Sequence, residues 1–131
     1  MGKKMRGDAL LQSLVNTPVA DNKARLETLF LDFVAEATLG QDRYPKSPEV
    51  LTSGISDRAV RLGLFCSARD MDDVDWVVLS HPGSIIWPVA VSIGVEKKLS
   101  LEEIFDAAAR GYRTGATIAN FFGKGHRAKW H

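Results

Sequence analysis

The sequence predicts an all-α fold, a helical bundle of about five or six helices. Apolar residues recur at spacings of three and four in long segments that start near Ala24, Ala59 and Leu101, as they do along one face of a helix. No segment alternates between apolar and polar residues for long enough to predict a strand. Ser, Gly and Pro residues lie between the periodic segments, where such residues cap helices or end them.

The first half of the chain is predicted to contain three helices. Asp8 can cap a short first helix, and residues 1–7 before it are expected to form a mobile tail. The second helix ends at Gly40, and residues 41–54, which hold Pro, Ser and Gly, are expected to form a surface loop. Ser56 can cap the third helix. The predicted apolar face of the second helix consists of Leu26, Leu29, Phe30, Phe33, Val34 and Ala37.

The second half is predicted to contain two further helices. Pro82–Gly83 is expected to be a turn, and Pro88 fits the first turn of the helix that follows. Ser100 and Glu103 have the spacing of a capping box at the start of a long helix. Glycines within 123–125 are expected to end that helix. Its small residues predict tight contact with another helix: Ala107, Ala108, Gly111, Gly115 and Ala116.

Length and composition favour a single cytoplasmic domain. The chain has 131 residues, so residues 8–131 are expected to form one helical domain. A net charge of +1 provides no field that would recruit nucleic acid, and the most apolar window, residues 85–95, is too short to span a membrane. Cys66 is the only cysteine, which favours a reducing compartment. Its place in an apolar helical stripe predicts a core position rather than a nucleophile.

An acidic run and a histidine separate the third helix from the predicted turn. Asp70, Asp72, Asp73 and Asp75 lie within six residues, and His81 follows directly before the Pro-Gly pair. Histidine titrates nearest to neutral pH, and a nearby carboxylate can orient and charge it, so this pattern favours acid/base chemistry. The other interpretation is a solvated acidic loop whose aspartates cap turns.

A second cluster, at the C-terminus, combines cations with imidazoles. Glycines there can bring backbone N–H groups close to an anion, while the cations and imidazoles can bind carboxylates. A solvated basic tail and a weak nucleic-acid patch are the alternatives. The cluster is not a phosphate-binding Walker loop, because the lysine is followed by glycine rather than Ser or Thr. Its candidate binding residues are Lys124, His126, Arg127 and Lys129, and His131 follows them.

A divalent metal ion is a third alternative for these residues. Carboxylates and imidazoles are suitable ligands for such ions. Neither a cysteine pair nor a His-x-x-Glu-His type of spacing supports this alternative, so no metal site is predicted. The ligands in this alternative would be Asp72, Asp73, Asp75, His81 and His131.

Four motifs follow one another in the second half of the chain, at residues 70–73, 81–90, 101–112 and 126–131. Together and in this order they resemble the MmgE/PrpD family. That family contains 2-methylcitrate dehydratases, cis-aconitate decarboxylases and iminodisuccinate epimerases. The helix predicted up to Gly40 resembles the family's opening helix less specifically.

The resemblance implies an all-α domain that forms one wall of a site for small polycarboxylates. Asp70 matches the family's leading active-site aspartate, His81 its histidine before proline, and His131 a second histidine after a short Gly-rich loop. The implied chemistry is proton transfer next to a carboxylate, with loss of water or carbon dioxide or with re-protonation. It implies no metal and no organic cofactor, and it suggests a homodimer.

The resemblance also implies that the chain is the N-terminal helical part of such a lyase. The family continues past the position of His131 into further helices and a second domain, so we expect this chain alone to be inactive. The alternative is a non-catalytic protein-interaction module whose acidic loop and basic tail meet a partner. Without the further helices and domain of the family, large apolar residues are expected to form an exposed patch: Trp76, Ile86, Trp87, Phe121, Phe122 and Trp130.

Overall fold

The computed structural model describes residues 23–44, 54–75 and 80–127 and the isolated positions Ala9 and Gln12, with side chains up to residue 119. The only β pairing among them is an isolated antiparallel bridge between Asp75 and Ser80. The all-α prediction is therefore confirmed. None of the described helices is long and apolar enough to cross a membrane. The helices are Lys23–Gly40 (α1), Ile55–Ser67 (α2), Gly83–Lys97 (α3) and Leu101–Arg127 (α4), with a 3-10 turn at Gln41–Arg43.

Glycines allow the helices to pack closely. The helix α2 packs against both α1 and α3, and α4 packs against α3. A methyl group at Gly40 would overlap the carbonyl oxygen of Phe65, and one at Gly63 would lie 2.9 Å from the carbonyl oxygen of Ser84. A methyl group at Gly111 would lie 2.9 Å from an isoleucine side chain of α3. The predicted tight contact of α4 is therefore confirmed at Gly111, and Ala108 is fully buried. Ala107, however, is exposed, and a methyl group at Gly115 would meet nothing within 4 Å.

Trp87 of α3 is the centre of the hydrophobic core, with none of its surface exposed. Its ring centroid lies 5.2 Å from that of Phe30, 5.6 Å from that of Phe105 and 6.2 Å from that of Tyr112. Such aromatic pairs contribute about 0.5–1.5 kcal/mol each beyond their buried area. The prediction of an exposed patch is wrong for Trp87, because aromatic rings of α1 and α4 cover it. The remaining core residues are Phe33, Ala37, Phe65, Cys66, Ile104 and Ala108.

The prediction for the apolar face of α1 is wrong at one position. Val34 is 42% exposed, whereas the polar Glu36 is buried. The buried stripe of the helix passes through Phe33, Glu36, Ala37 and Gly40. Val34 lies on the flank of this stripe and is exposed among the described residues. The periodicity therefore located the buried face but not its width.

The helix α3 begins earlier than the sequence predicts. Its first residue is Gly83, inside the expected turn, and Pro88 lies within the helix rather than in its first turn. Both predictions are wrong, because Asp73 accepts the N–H of Gly83 at 2.6 Å and so caps the helix from ten residues upstream. Proline cannot donate to the carbonyl of Ser84, and that carbonyl instead faces α2 at Gly63.

Other helix ends were predicted with mixed success. The N-cap residue of α2 is Gly54, so the prediction of Ser56 as its cap is wrong. The prediction that glycines at 123–125 end α4 is also wrong, because the helix continues through them. Glycine inside a helix costs only about 1 kcal/mol, which neighbouring turns can offset. The capping box is confirmed, since Oγ of Ser100 accepts the N–H of Glu103 at 3.2 Å and Oε2 of Glu103 accepts that of Ser100 at 2.8 Å. The predictions for the N-terminal tail, the first helix and residues 45–53 lie outside the described residues.

Candidate functional site

The acidic loop between α2 and α3 folds back on itself. At its start Asp70 has a φ of 55°, the left-handed conformation that often ends helices, and its N–H donates to the carbonyl oxygen of Ser67 at 3.2 Å. Further along, Asp75 and Ser80 pair through two backbone hydrogen bonds of 2.9 and 3.3 Å. This bridge returns the chain towards the beginning of the loop, just before the histidine.

A histidine–aspartate pair lies where the loop returns. Nδ1 of His81 and Oδ1 of Asp72 are 3.2 Å apart. The side chain of Asp72 is 2% exposed and that of His81 is 42% exposed, so the carboxylate is covered and the imidazole reaches solvent. An ionised carboxylate can only accept a hydrogen bond, so in this contact the ring carries its proton on Nδ1. The neutral ring then offers Nε2 as a proton acceptor, as in other proton-transfer sites built on a His–Asp pair.

Asp70 completes a group of three ionisable side chains with this pair. One potential ligand atom from each of Asp70, Asp72 and His81 lies within 4.8 Å of the other two. Asp70 and His81 are the exposed members and Asp72 is the buried one. By resemblance Asp70 is the leading active-site aspartate, but the carboxylate that accepts the hydrogen bond of His81 is Asp72. The acidic run in the sequence does not show which of its carboxylates faces the histidine.

Asp73, the next residue, connects the loop to the helical scaffold. Its Oδ1 accepts the N–H of Gly83 at 2.6 Å, and its Oδ2 accepts the hydroxyl of Tyr112 at 2.9 Å. Burial raises the pKa of Asp73, while the two hydrogen bonds act to lower it. Burial and the charge of Asp73 also raise the pKa of Tyr112, which keeps its hydroxyl a donor. Both oxygens of Asp73 are thus engaged, and sequence analysis did not identify Tyr112 as part of the site.

A second buried carboxylate, Glu36 of α1, lies within electrostatic range of the pair. Glu36 is 5% exposed, and its Oε2 has no hydrogen-bond partner among the described residues. Burial raises the pKa of Glu36 and the charges of Asp32 and Asp72 raise it further, whereas Arg69 acts to lower it. The guanidinium of Arg69 is held by a hydrogen bond from Nε to the carbonyl oxygen of Leu39 at 3.1 Å. No local pattern predicts an inward-facing glutamate at this position of α1.

Cys66 lies at the end of α2 close to the loop and is chemically inert. It is 1% exposed. Burial, together with the charges of Asp72 and Asp73, raises the pKa of Cys66 to about 12. The nucleophilic thiolate therefore does not form near neutral pH. The prediction of a core cysteine is confirmed.

The predicted carboxylate-binding cluster is described only in part. The backbone of Lys124, His126 and Arg127 belongs to α4. The prediction of a Gly-rich loop at these residues is therefore wrong. Their side chains lie outside the described residues, as do Lys129 and His131 entirely. The convergence of the three predicted catalytic residues on one cleft therefore stays a prediction.

Comparison with known proteins assigns this chain to no family. Compared with models of known protein families, with curated proteins and with solved structures, the chain gives no match. The resemblance to the MmgE/PrpD family thus rests on the four sequence motifs, and the roles of the site residues rest on their contacts, burial and charge.

Proposed function

We propose that the chain forms the helical part of a lyase-type site for a small polycarboxylate, with His81 as the proton-transfer residue. The observation that supports this proposal is the pair of His81 and Asp72, 3.2 Å apart, with the carboxylate buried and the imidazole partly exposed. The carboxylate holds the ring in one tautomer by accepting the hydrogen bond from Nδ1. The other ring nitrogen is left for a substrate.

The proposed reaction begins at the carbon next to a substrate carboxylate. In dehydration, Nε2 of His81 takes the proton, the C–H electron pair forms the double bond, and hydroxide leaves as water with a proton from His131. In decarboxylation the carbon–carbon bond to a carboxylate breaks, carbon dioxide leaves, and a His81 ring that starts protonated donates its proton to the carbon that keeps the electron pair. In epimerisation the same carbon loses its proton and regains one on the opposite face. Each route uses a group that can accept or donate a proton.

Anionic substrates need cations at this site. Asp70 and Asp72 would repel a polycarboxylate unless positive groups compensate for them. The proposal assigns this role to the C-terminal cluster of Lys124, His126, Arg127 and Lys129. We expect the chain by itself not to turn over substrate, since the side chain of His81 is 42% exposed and catalysis needs preorganised charge in a site that excludes water.

A titration of the metal-free chain with cis-aconitate, followed by backbone amide signals in NMR, tests substrate binding. We expect saturable shifts at His81, Gly83 and Ser84 that do not occur with the trimethyl ester of the same acid. His81→Gln should reduce these shifts strongly. Lys97→Gln is the control, because it removes a cation about 21 Å away along α3. Equal shifts with the ester, or in His81→Gln, would contradict the proposal.

Turnover assays test the expected inactivity separately. The chain is compared with a variant in which His81 and His131 are both alanine, using 2-methylcitrate and cis-aconitate as substrates. We expect background rates for both proteins. Robust turnover by the unaltered chain that disappears in the variant would show that the exposed site is already sufficient for catalysis.

The second candidate function is a non-catalytic interaction module. Exposed apolar side chains on three helices favour it, since Leu31 is 66%, Val60 62% and Ile85 67% exposed. The acidic loop argues against it, because Asp72 and Asp73 bind groups of the same chain rather than face solvent. Sedimentation velocity tests the predicted homodimer: a mass that rises with concentration would support association, and a constant monomer mass would contradict it.

A further inference from the structure

We infer that Asp70, Asp72 and His81 form a binding site for one divalent transition-metal ion. This inference does not rest on the proposed function, because it uses only the donor atoms and their surroundings. One donor atom of each side chain lies within 4.8 Å of the other two. Two carboxylate oxygens and one imidazole nitrogen form a donor set that suits Zn²⁺. The site departs from the sequence prediction, which includes no metal.

The second oxygen of Asp72 points independently to a bound cation. The Asp72 side chain is 2% exposed, and Oδ2 has no hydrogen-bond partner in the part of the chain that the structure describes. A buried polar atom of this kind is unfavourable, and native proteins nearly always satisfy it with a protein group, water or an ion. A cation coordinated by the same carboxylate would satisfy it.

The surrounding charges favour a cation at the same place. Asp70 and Asp72 contribute two carboxylates, and the buried Glu36 has a further oxygen without a hydrogen-bond partner among the described residues. Arg69 acts electrostatically on Glu36, but its Nε donates to the carbonyl oxygen of Leu39. An ion with two positive charges would balance carboxylates that otherwise repel one another.

The donor atoms need to move only slightly closer together to bind an ion. Ligands at about 2.1 Å around a tetrahedral ion are ~3.4 Å apart, and the three atoms are at most 4.8 Å apart. Asp70 is exposed, so its side chain can change rotamer without disturbing the core. The side towards Asp70 and His81 remains open to solvent, where water or a substrate carboxylate can complete the coordination.

The neutral ring of His81 can bind the ion without losing a proton. Nδ1 of His81 faces Asp72 at 3.2 Å, so an ion shared by these two residues takes the place of the proton between them, and that proton moves to Nε2 of the same ring. Asp73 takes no part, because its two oxygens already accept hydrogen bonds from Gly83 and Tyr112.

A calorimetric titration with Zn²⁺ tests the site in the full chain. Replacement of His126 and His131 by alanine leaves His81 as the sole imidazole, since the chain has three histidines. We expect saturable binding of one ion per chain. His81→Gln and Asp72→Asn in this background should each weaken binding by at least the roughly 10–100-fold that loss of an outer-shell partner costs.

Asp57→Asn is the matched control variant. It removes an exposed carboxylate that pairs with Arg61 at 2.8 Å on α2, outside the proposed site, and should leave the affinity unchanged. Circular dichroism shows whether each variant folds, and His81→Gln keeps the test decisive if Asp72→Asn does not fold. Absence of one-to-one binding, or unchanged affinity in His81→Gln, would overturn the site. The carboxylate titration is done without metal, so either proposal can fail while the other holds.

Discussion

The hydroxyl of Tyr112 in α4 donates a 2.9 Å hydrogen bond to Oδ2 of Asp73, across 39 residues of sequence. The other oxygen of this carboxylate accepts the N–H of Gly83 at 2.6 Å. One side chain thus joins the acidic loop to the start of α3 and to the middle of α4. Because Asp73 directly follows Asp72, these two bonds also hold the His81–Asp72 pair in place against the core.

Tyr112→Phe is expected to destabilise the protein by about 1–2 kcal/mol, because it leaves a half-buried carboxylate oxygen without its donor. The aromatic ring is kept, so its contact with Trp87 should persist. Urea unfolding followed by circular dichroism measures the change. Tyr44→Phe, at a tyrosine that is 40% exposed, is the control and should change stability little. Equal stabilities of wild type and Tyr112→Phe would show that the hydrogen bond contributes nothing net.

Gly40→Ala and Gly115→Ala are expected to have opposite effects on stability. A methyl group at Gly40 overlaps the carbonyl oxygen of Phe65, so α1 and α2 must move apart, at a cost of about 1–3 kcal/mol or more. A methyl group at Gly115 meets nothing within 4 Å, so alanine there should stabilise α4 by about 0.5–1 kcal/mol. Thermal unfolding of both variants checks the signs. A stabilising Gly40→Ala would mean that α1 and α2 do not cross at this glycine.

Glu36→Gln is expected to remove one source of pH-dependent stability. Burial and the charges of Asp32 and Asp72 raise the pKa of Glu36 above its ordinary value of 4.5, so the native state holds this proton more tightly than the unfolded state. The wild type therefore gains stability from Glu36 as pH falls towards 4.5 and loses it as pH rises through the raised pKa.

The difference in the free energy of unfolding between Glu36→Gln and the wild type isolates the contribution of Glu36. We expect Glu36→Gln to be more stable than wild type at neutral pH, with an advantage that shrinks as the pH approaches 4.5. Free energies of unfolding from urea titrations at several pH values measure it. Glu27→Gln, at an exposed glutamate of the same helix, is the control. An advantage that does not change with pH would contradict the assigned burial of Glu36.

The thiol of Cys66 is expected to be unreactive in the native protein. With a pKa of about 12, its thiolate fraction at pH 8 is roughly one in ten thousand, against about a quarter for an ordinary cysteine. Reaction with a disulfide reagent at pH 8 should therefore be at least about a thousandfold slower than in urea-unfolded chain. Cys66→Ser gives the blank. Equal rates in the native and unfolded chain would show that the thiol is not buried.

The sequence by itself determined the helical fold and much of its core. The capping box of Ser100 and Glu103, the helix that begins at Leu101 and the core position of Cys66 all follow from spacings of three and four residues. Such spacings are visible in the sequence because the helix repeats every 3.6 residues and its capping bonds join residues close in sequence. His81 was also a candidate from the sequence alone, since histidine is the side chain whose ordinary pKa lies near neutral pH.

Tertiary structure alone decided which groups meet. Trp87 is central rather than exposed because rings from α1 and α4 cover it, and α3 starts at Gly83 because Asp73 caps it from outside the helix. The partner of His81 is Asp72 rather than Asp70 because the Asp75–Ser80 bridge sets how the loop returns. These contacts join residues that are distant in sequence, and their energies depend on burial, which no local spacing contains.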